Sequence, residues 1–424
     1  EAQGSEDRTS AFWISTSKSV QRFWLELSPP VDEVNRENIG LLNKPSLDGR
    51  TRSLSSVGAV FILLKSALGA GLLNFSWAFS EAGGITPALI MELVIFLISG
   101  LVILGYAASV SGQSTYQGVV RVLCGSAIGK LCEICFIVDM FMISVAFLKV
   151  VGDQMEKCNI FAKKTPNGVT KKQHFTLSIL CILIIFPLSA PQEISFQKYT
   201  SILGTLAAFF LFIKHLVSSI YRPSSWLAVF NVFPTICFGF QCHEASVSIY
   251  RSMDNQNLSH WTVVSVASML TCCLIYSLTG LYGFLTFGDN VSADVLMSYP
   301  SNDTVVIIAR FLFGVSIVTV YPIAVWGCGR WADPSGTWVR VLLTGLWVAT
   351  TLLLALLVPD IGEVIMVTGG ISAFFIFIFP GEHLLFPKAF SVVLSCLIFW
   401  GVVSILAGAF IFGQSTSSAI LDLF

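Results

Sequence analysis

The sequence predicts an all-α polytopic membrane protein of about eleven transmembrane helices, and three observations lead there. Apolar residues make up 54% of the chain and charged residues only 12%, with a mean hydropathy of +0.79; soluble domains carry about 25% charged residues. Runs of about 20 apolar residues, enough to cross the hydrocarbon layer as a helix, recur along the chain. Two of those runs, the first and the sixth, are interrupted near their middles. Nothing in the pattern points to nucleic acid: the formal net charge is -1 and no basic stripe is present.

The polar, mixed-charge stretch 1–53 reads as a disordered cytoplasmic tail. The first span, 56–80, carries Lys65 near its middle and a Gly69-Ala70-Gly71 break just after it. A break at mid-depth leaves backbone groups that lipid cannot satisfy, so it must face protein or a water-filled site. The second span covers 86–110 and is followed by a polar loop, 111–117. The third covers 127–151 and leads to a lysine-rich hydrophilic loop, 152–174. The fourth, 175–190, ends at Pro191, and the fifth covers 199–220.

The sixth span, 227–250, holds the second break. Pro234 removes a backbone donor and Gly239 permits a turn. Gln241, His243 and Glu244 then place polar groups inside an apolar run, where such residues usually face a cavity or a partner. Two breaks five spans apart are what an inverted repeat of five plus five helices produces, with the interruptions facing each other around a substrate site. The competing reading is that Gly69 and Gly71 only allow close helix packing.

The seventh span covers 261–286, the eighth 304–326, the ninth 338–358, the tenth 361–380 and the eleventh 391–413. Together, 54–413 form the helical domain and 414–424 a short extracellular or lumenal tail. Loop 288–303 carries two N-x-S/T acceptors, Asn290 and Asn302, which favours an outside position for that loop and a cytoplasmic N-terminus. Asn257 also matches the acceptor pattern, on the opposite side. Asp360 and Glu363 open the tenth span, where acids favour a helix start. Trp261, Trp338 and Trp400 read as interface anchors. Most of the 11 cysteines lie in apolar runs and read as small buried side chains. The pattern offers no metal cluster and no nucleophile–base pair, so no enzyme is expected.

The words SALGAGLLNFSWAFSEAGG, FQKYTSILGTLAA, PTICFGFQCHEA, VLMSYP, PDIGEVI and FIFIFPG resemble the sodium-coupled neutral amino acid transporter family, within the amino acid/auxin permease group. The resemblance covers nearly all of 54–424. It implies an eleven-helix LeuT-type fold and carriage of small neutral amino acids, glutamine prominent among them, with sodium as coupling ion. It departs from the family in the short connections GCGRWADPSG and HLVSSIYRPSSW and in EHLLFPKAF after the tenth span.

A free amino acid is a zwitterion. The N–H groups at Gly69, Ala70 and Gly71 suit its carboxylate, and carbonyls near Phe238 and Gly239 suit its ammonium. Gln241 or His243 could read an amide side chain, with Glu244 either partnering His243 or lining the inner vestibule; the plainer role for His243 is structural. The family resemblance places a cation site between the first and eighth spans, at Leu68, Ser316 and Thr319. Sodium-coupled members resemble one another in an asparagine where this chain has Lys65, so Lys65 either replaces the ion, giving sodium-independent or proton-linked transport, or turns elsewhere and leaves sodium in place. A transporter-like amino acid sensor is the alternative from another class. The plasma membrane is the expected location, with the lysosomal membrane as the alternative.

Overall fold

The structure, a computed structural model, describes residues 54–82, 86–158, 177–189, 226–301, 303–329, 337–358, 360–385 and 394–421. The predicted tail, the fifth span and Asn302 lie outside them. The described chain is helical, and its sole extended pairing is an isolated bridge of Leu54 to Met253.

Span one is two helices, α1 (Ser56–Ala67) and α2 (Phe75–Ala82), joined by a 3-10 turn at Ala70–Asn74 and bent by 57°. Ser55 starts α1 by accepting the Gly58 N–H at 3.2 Å, a capping bond worth about 1 kcal/mol. Span two is α3 (Thr86–Ser111). A short helix, α4 (Tyr116–Cys124), follows in place of plain loop, capped by the Thr115 hydroxyl. Span three is α5 (Ser126–Cys158), longer than predicted at its far end. The described part of span four is helical at 177–180, then a π-helical turn, Cys181–Ile185, running into α6 (Phe186–Ser189).

Span six divides into α7 (Trp226–Gly239) and α8 (His243–Ser252). Span seven is α9 (Leu258–Phe287), capped by Asn257. The loop after it holds a 3-10 turn at Gly288–Asn290 and α10 (Val295–Ser298), capped by Asp294. Spans eight and nine are α11 (Thr304–Gly329) and α12 (Thr337–Leu357). Span ten is α13 (Ile361–Ala373), capped by Asp360 as the acid-first pattern predicts, then a π-helical turn at Phe374–Ile378 and α14 (Phe379–Leu385). Span eleven, α15 (Leu394–Leu421), continues well past its predicted end.

Among the described residues, seven helices are long and apolar enough to cross a membrane, and eight with the bent first pair taken as one span. Span four is described only in part, span five lies outside the described residues and span six is split, which accounts for the difference from the expected eleven.

Three helices organise the bundle. α9 packs on α1, α2 and α3; α13 packs on α7, α15 and α5; α5 packs on α11, α12 and α4. α12 and α15 expose Leu342, Leu346, Leu353, Phe399 and Leu406 outward, the faces that meet lipid. Apolar burial cannot drive helix association in lipid, so close packing through small residues carries it. A Cβ on Gly369 would lie 1.9 Å from the Pro234 carbonyl oxygen, and one on Gly283 would lie 2.0 Å from Ser76 Oγ. Span ten is therefore seated on the proline turn of span six.

Two tryptophans differ from expectation. Trp261 is fully buried, packed at Gly105, and donates its indole N–H to the Leu101 carbonyl at 2.7 Å. Trp400 stacks on Phe96 and donates to Ser99 Oγ at 3.1 Å. Position near a span end is shared by lipid-facing and inward-facing residues, and for Trp261 the room left by Gly105 on the neighbouring helix decides the inward outcome. Trp338 is 86% exposed, as an anchor should be. Cys132, Cys181, Cys272 and Cys273 are buried, whereas Cys396 is exposed.

Candidate substrate site at the paired helix breaks

α1 ends because Leu68 leaves helical geometry, with φ -71° and ψ 83°. The Gly69 N–H turns back onto the Ala67 carbonyl at 2.8 Å, the tight three-residue turn that such dihedrals produce. The chain resumes as the 3-10 turn, with the Leu72 N–H on the Gly69 carbonyl at 3.2 Å. α7 ends at Gly239, and Phe240, Gln241 and Cys242 separate it from α8.

The two breaks touch. A Cβ on Gly71 would lie 2.7 Å from Gly239 Cα and 3.2 Å from Gly239 N. Glycine at both positions is what lets the backbones meet. Three aromatic rings enclose the contact. Phe75 stacks on Tyr276 at 4.1 Å, and Phe240 meets both rings edge-on at 6.0 and 4.9 Å. Tyr276, from α9, also places its hydroxyl 2.7 Å from the Ala67 carbonyl and 2.7 Å from the Gly239 carbonyl. These are the last residues of α1 and α7, so one O–H group bridges the negative ends of both half-helices.

Both ends of this pair are tied. At one end, the Leu54 N–H donates to the Ser252 carbonyl at 2.9 Å and the Asp254 N–H to the Leu54 carbonyl at 3.0 Å, joining the start of span one to the end of span six. At the other end, Asn74 Nδ2 donates to the Ala293 carbonyl at 2.9 Å and Asn74 Oδ1 accepts from Thr235 Oγ1 at 3.0 Å. Asn74 thus holds span one, span six and loop 288–303 together. Nearby, Gln154 Nε2 donates to Asp294 at 2.5 Å, and Arg310 Nη2 donates to the Leu296 and Tyr299 carbonyls at 2.9 and 3.0 Å. The breaks are enclosed from both sides.

The residues expected at the site are distributed as follows. Gly69, Ala70 and Gly71 form the first break, and Phe238 and Gly239 line the second against it. Gln241 is buried and used at both ends of its amide: Nε2 donates to Asp139 Oδ2, and Oε1 accepts from Ser372 Oγ at 2.6 Å. His243 is fully buried, with Nε2 3.0 Å from the Leu97 carbonyl. That contact makes Nε2 the protonated nitrogen and matches the structural role. Glu244 is half-buried in the first turn of α8, directly after His243. Lys65 lies half-buried in the last turn of α1, a position that favours a cation. Ser316 is half-buried on α11; the Thr319 side chain lies outside the described set. α1 packs chiefly on α9 and α8, and α11 chiefly on α5. Among the described residues no cluster of three metal-ligating side chains occurs.

Tyr276, Asn74, Thr235 and Ser372 were not singled out from sequence. Asn74 had a signal, a polar residue inside the first span, whereas Tyr276 and Ser372 look like ordinary members of apolar helices.

Comparison with known proteins gives the same picture. Residues 52–411 match the family described as "Transmembrane amino acid transporter protein". The chain is 58% identical to human solute carrier family 38 member 8, over 91% of this chain and 98% of that protein. It is 42% identical to sodium-coupled neutral amino acid transporter 7 of Danio rerio, over 96% of this chain and 95% of that protein. Among solved structures, MhsT in complex with L-phenylalanine matches with a TM-score of 0.52 at 14% identity, covering 87% of this chain and all of that one. That likeness concerns the fold, a LeuT-type arrangement with helices one and six broken. The chain belongs to the transmembrane amino acid transporter family.

Proposed function

We propose that this protein is a sodium-coupled carrier of neutral amino acids of the glutamine type, working by alternating access. The observation that carries the reading is the contact of the two breaks, Gly71 on Gly239, under ties at both ends. An amino acid bound there is enclosed by the breaks and released when one tie opens. The Asn74–Ala293–Thr235 tie is the outer gate, on the side of Asn290, which is exposed at the end of its 3-10 turn and serves as a glycan acceptor. The Leu54–Ser252 bridge is the inner gate.

The substrate carboxylate takes the N–H groups of Ala70 and Gly71 once the breaks part, and the ammonium takes the Phe238 and Gly239 carbonyls. Backbone of the first break at Leu68, together with Ser316 and Thr319, holds sodium. A second reading has one supporting observation, the placement of Lys65 in the last turn of α1. There its ammonium substitutes for the ion and transport follows protons. The family description and the name of the Danio rerio relative support an amino acid cargo.

Counterflow tests the carrier reading. Proteoliposomes loaded with unlabelled glutamine should accumulate external labelled glutamine transiently with no ion gradient. A receptor or a channel gives no overshoot, and that result would refute the proposal.

A further inference from the structure

Span six breaks where span three carries an acid. Asp139 sits at mid-length of α5 and is fully buried. One of its oxygens, Oδ2, accepts from Gln241 Nε2. Gln241 lies in the break itself, just past the end of α7 at Gly239, and Ser372 Oγ of α13 donates to the other end of its amide at 2.6 Å. A line of side chains therefore runs from span three through the break to span ten. α5 also packs on the 3-10 turn of span one and on α13, and α13 packs on α7. Asp139 thus borders the space that opens when Gly71 and Gly239 part.

The second oxygen of Asp139, Oδ1, is buried and has no donor. Asp139 is in no ion pair among the described residues; the acids that are, Glu133 and Asp153, pair with Arg121 and Lys149. The same deficit recurs beside it. His243 is fully buried, and because Nε2 donates to the Leu97 carbonyl, Nδ1 is an acceptor; it too has no donor. A third is Glu244 Oε1, in the first turn of α8. The open side-chain atoms described beside this break are all acceptors. Buried acceptors left open are costly, and each calls for a ligand or a water that supplies a donor. A ligand suited to them brings N–H groups and no carboxylate. Gln241, which the sequence singles out for reading an amide, has both ends of its own amide engaged and orients Asp139 instead.

We propose that Asp139 reads the side chain of the cargo: when the breaks part, its Oδ1 accepts an N–H of the terminal carboxamide of a bound glutamine. Backbone groups of the two breaks take the α-carboxylate and the ammonium, and those are common to every amino acid. Selection then falls to a group that meets the side chain. The amide nitrogen brings two N–H groups and no charge. Glutamate, of the same shape, sets a carboxylate against a carboxylate. An apolar isostere leaves Oδ1 buried and open. A site built to accept a hydrogen bond rejects an analogue that lacks the donor far more strongly than an apolar pocket does. The inference rests on the reading of the chain as a carrier and adds to it the residue that selects.

The test uses the full chain, purified for displacement of labelled glutamine and reconstituted in proteoliposomes for counterflow. The competitor is 2-amino-5-oxohexanoate, in which a methyl group stands where glutamine has its amide nitrogen. Half displacement from the wild type should need more than about 10-fold more of it than of unlabelled glutamine. Asp139→Ala should bring the two competitors level. Asp139→Asn keeps the shape and an acceptor but not the charge; it should move the ratio part of the way and serves if the alanine variant does not fold. Ser372→Ala frees the far end of Gln241 without touching Asp139, so it should weaken both competitors equally and leave the ratio as in the wild type. A role for Asp139 in holding the break alone would also leave the ratio unmoved. An unchanged ratio in folded Asp139→Ala or Asp139→Asn overturns the proposal, as does a ratio that falls as far in Ser372→Ala, or a wild type with level competitors. Arginine displacing the label better than glutamine would make Asp139 a counter-charge for a cation and overturn the amide assignment. A wild type that shows the ratio in displacement yet no counterflow would refute the carrier reading and leave the role of Asp139 standing.

Discussion

Replacing Gly71 by alanine strikes the contact on which the site is built. The added methyl carbon would lie 2.7 Å from Gly239 Cα, whereas carbon atoms settle at about 3.5–4.0 Å. About 1 Å must open between two backbones, and no rotamer change can supply it. Overpacking of this kind costs about 1–3 kcal/mol. At 1.4 kcal/mol per factor of ten, the closed arrangement loses about 5-fold to about 150-fold in population against open ones. Two native thiols report the opening, since Cys237 and Cys242 flank the break and each is 1% exposed. Alkylation of Cys242, followed by peptide mass spectrometry, should rise by a comparable factor, and counterflow of labelled glutamine should slow. Gly314→Ala is the control, because a Cβ there meets nothing within 4 Å. A folded Gly71→Ala protein with wild-type counterflow and unchanged Cys242 alkylation would show that the breaks do not close on each other as described.

Other perturbations have equally definite outcomes. Tyr276→Phe retains the stack on Phe75 and removes only the hydroxyl between Ala67 and Gly239; the bond is worth about 0.5–1.5 kcal/mol, so Cys242 alkylation should rise about 2-fold to about 10-fold. Asn74→Ala releases loop 288–303, and a cysteine placed at Ser292 should react faster with an impermeant thiol reagent from the Asn290 side only. Trp261→Phe loses the bond to Leu101 at 2.7 Å and should lower thermal stability in detergent by about 1–2 kcal/mol while leaving counterflow intact. Lys65→Asn should increase the dependence of uptake on sodium; uptake with the wild-type sodium response would remove Lys65 from the coupling scheme.

The two breaks were legible because their causes are local. Gly69, Gly71, Pro234 and Gly239 each alter backbone geometry or hydrogen bonding at their own position, and a polar residue in an apolar run stands out. The caps at Ser55, Asn257 and Asp360 are local in the same way. What joins the breaks is not local. Tyr276 reaches carbonyls 209 and 37 residues away, and Asn74 reaches Ala293 across 219 residues. A tyrosine facing a carbonyl and a tyrosine facing lipid read alike in a single chain. Helix α4 was missed because its Tyr116–Cys124 stretch is short and amphipathic, without the length that marks a span. Trp261 turned inward because Gly105 made room for it.

The most direct test of the central claim is uptake of labelled glutamine into proteoliposomes under an imposed inward sodium gradient, with choline replacing sodium in a second arm and a pH gradient alone in a third. The account predicts concentrative uptake in the sodium arm and none with choline alone. Glutamine that binds the purified protein yet enters in no arm would contradict it.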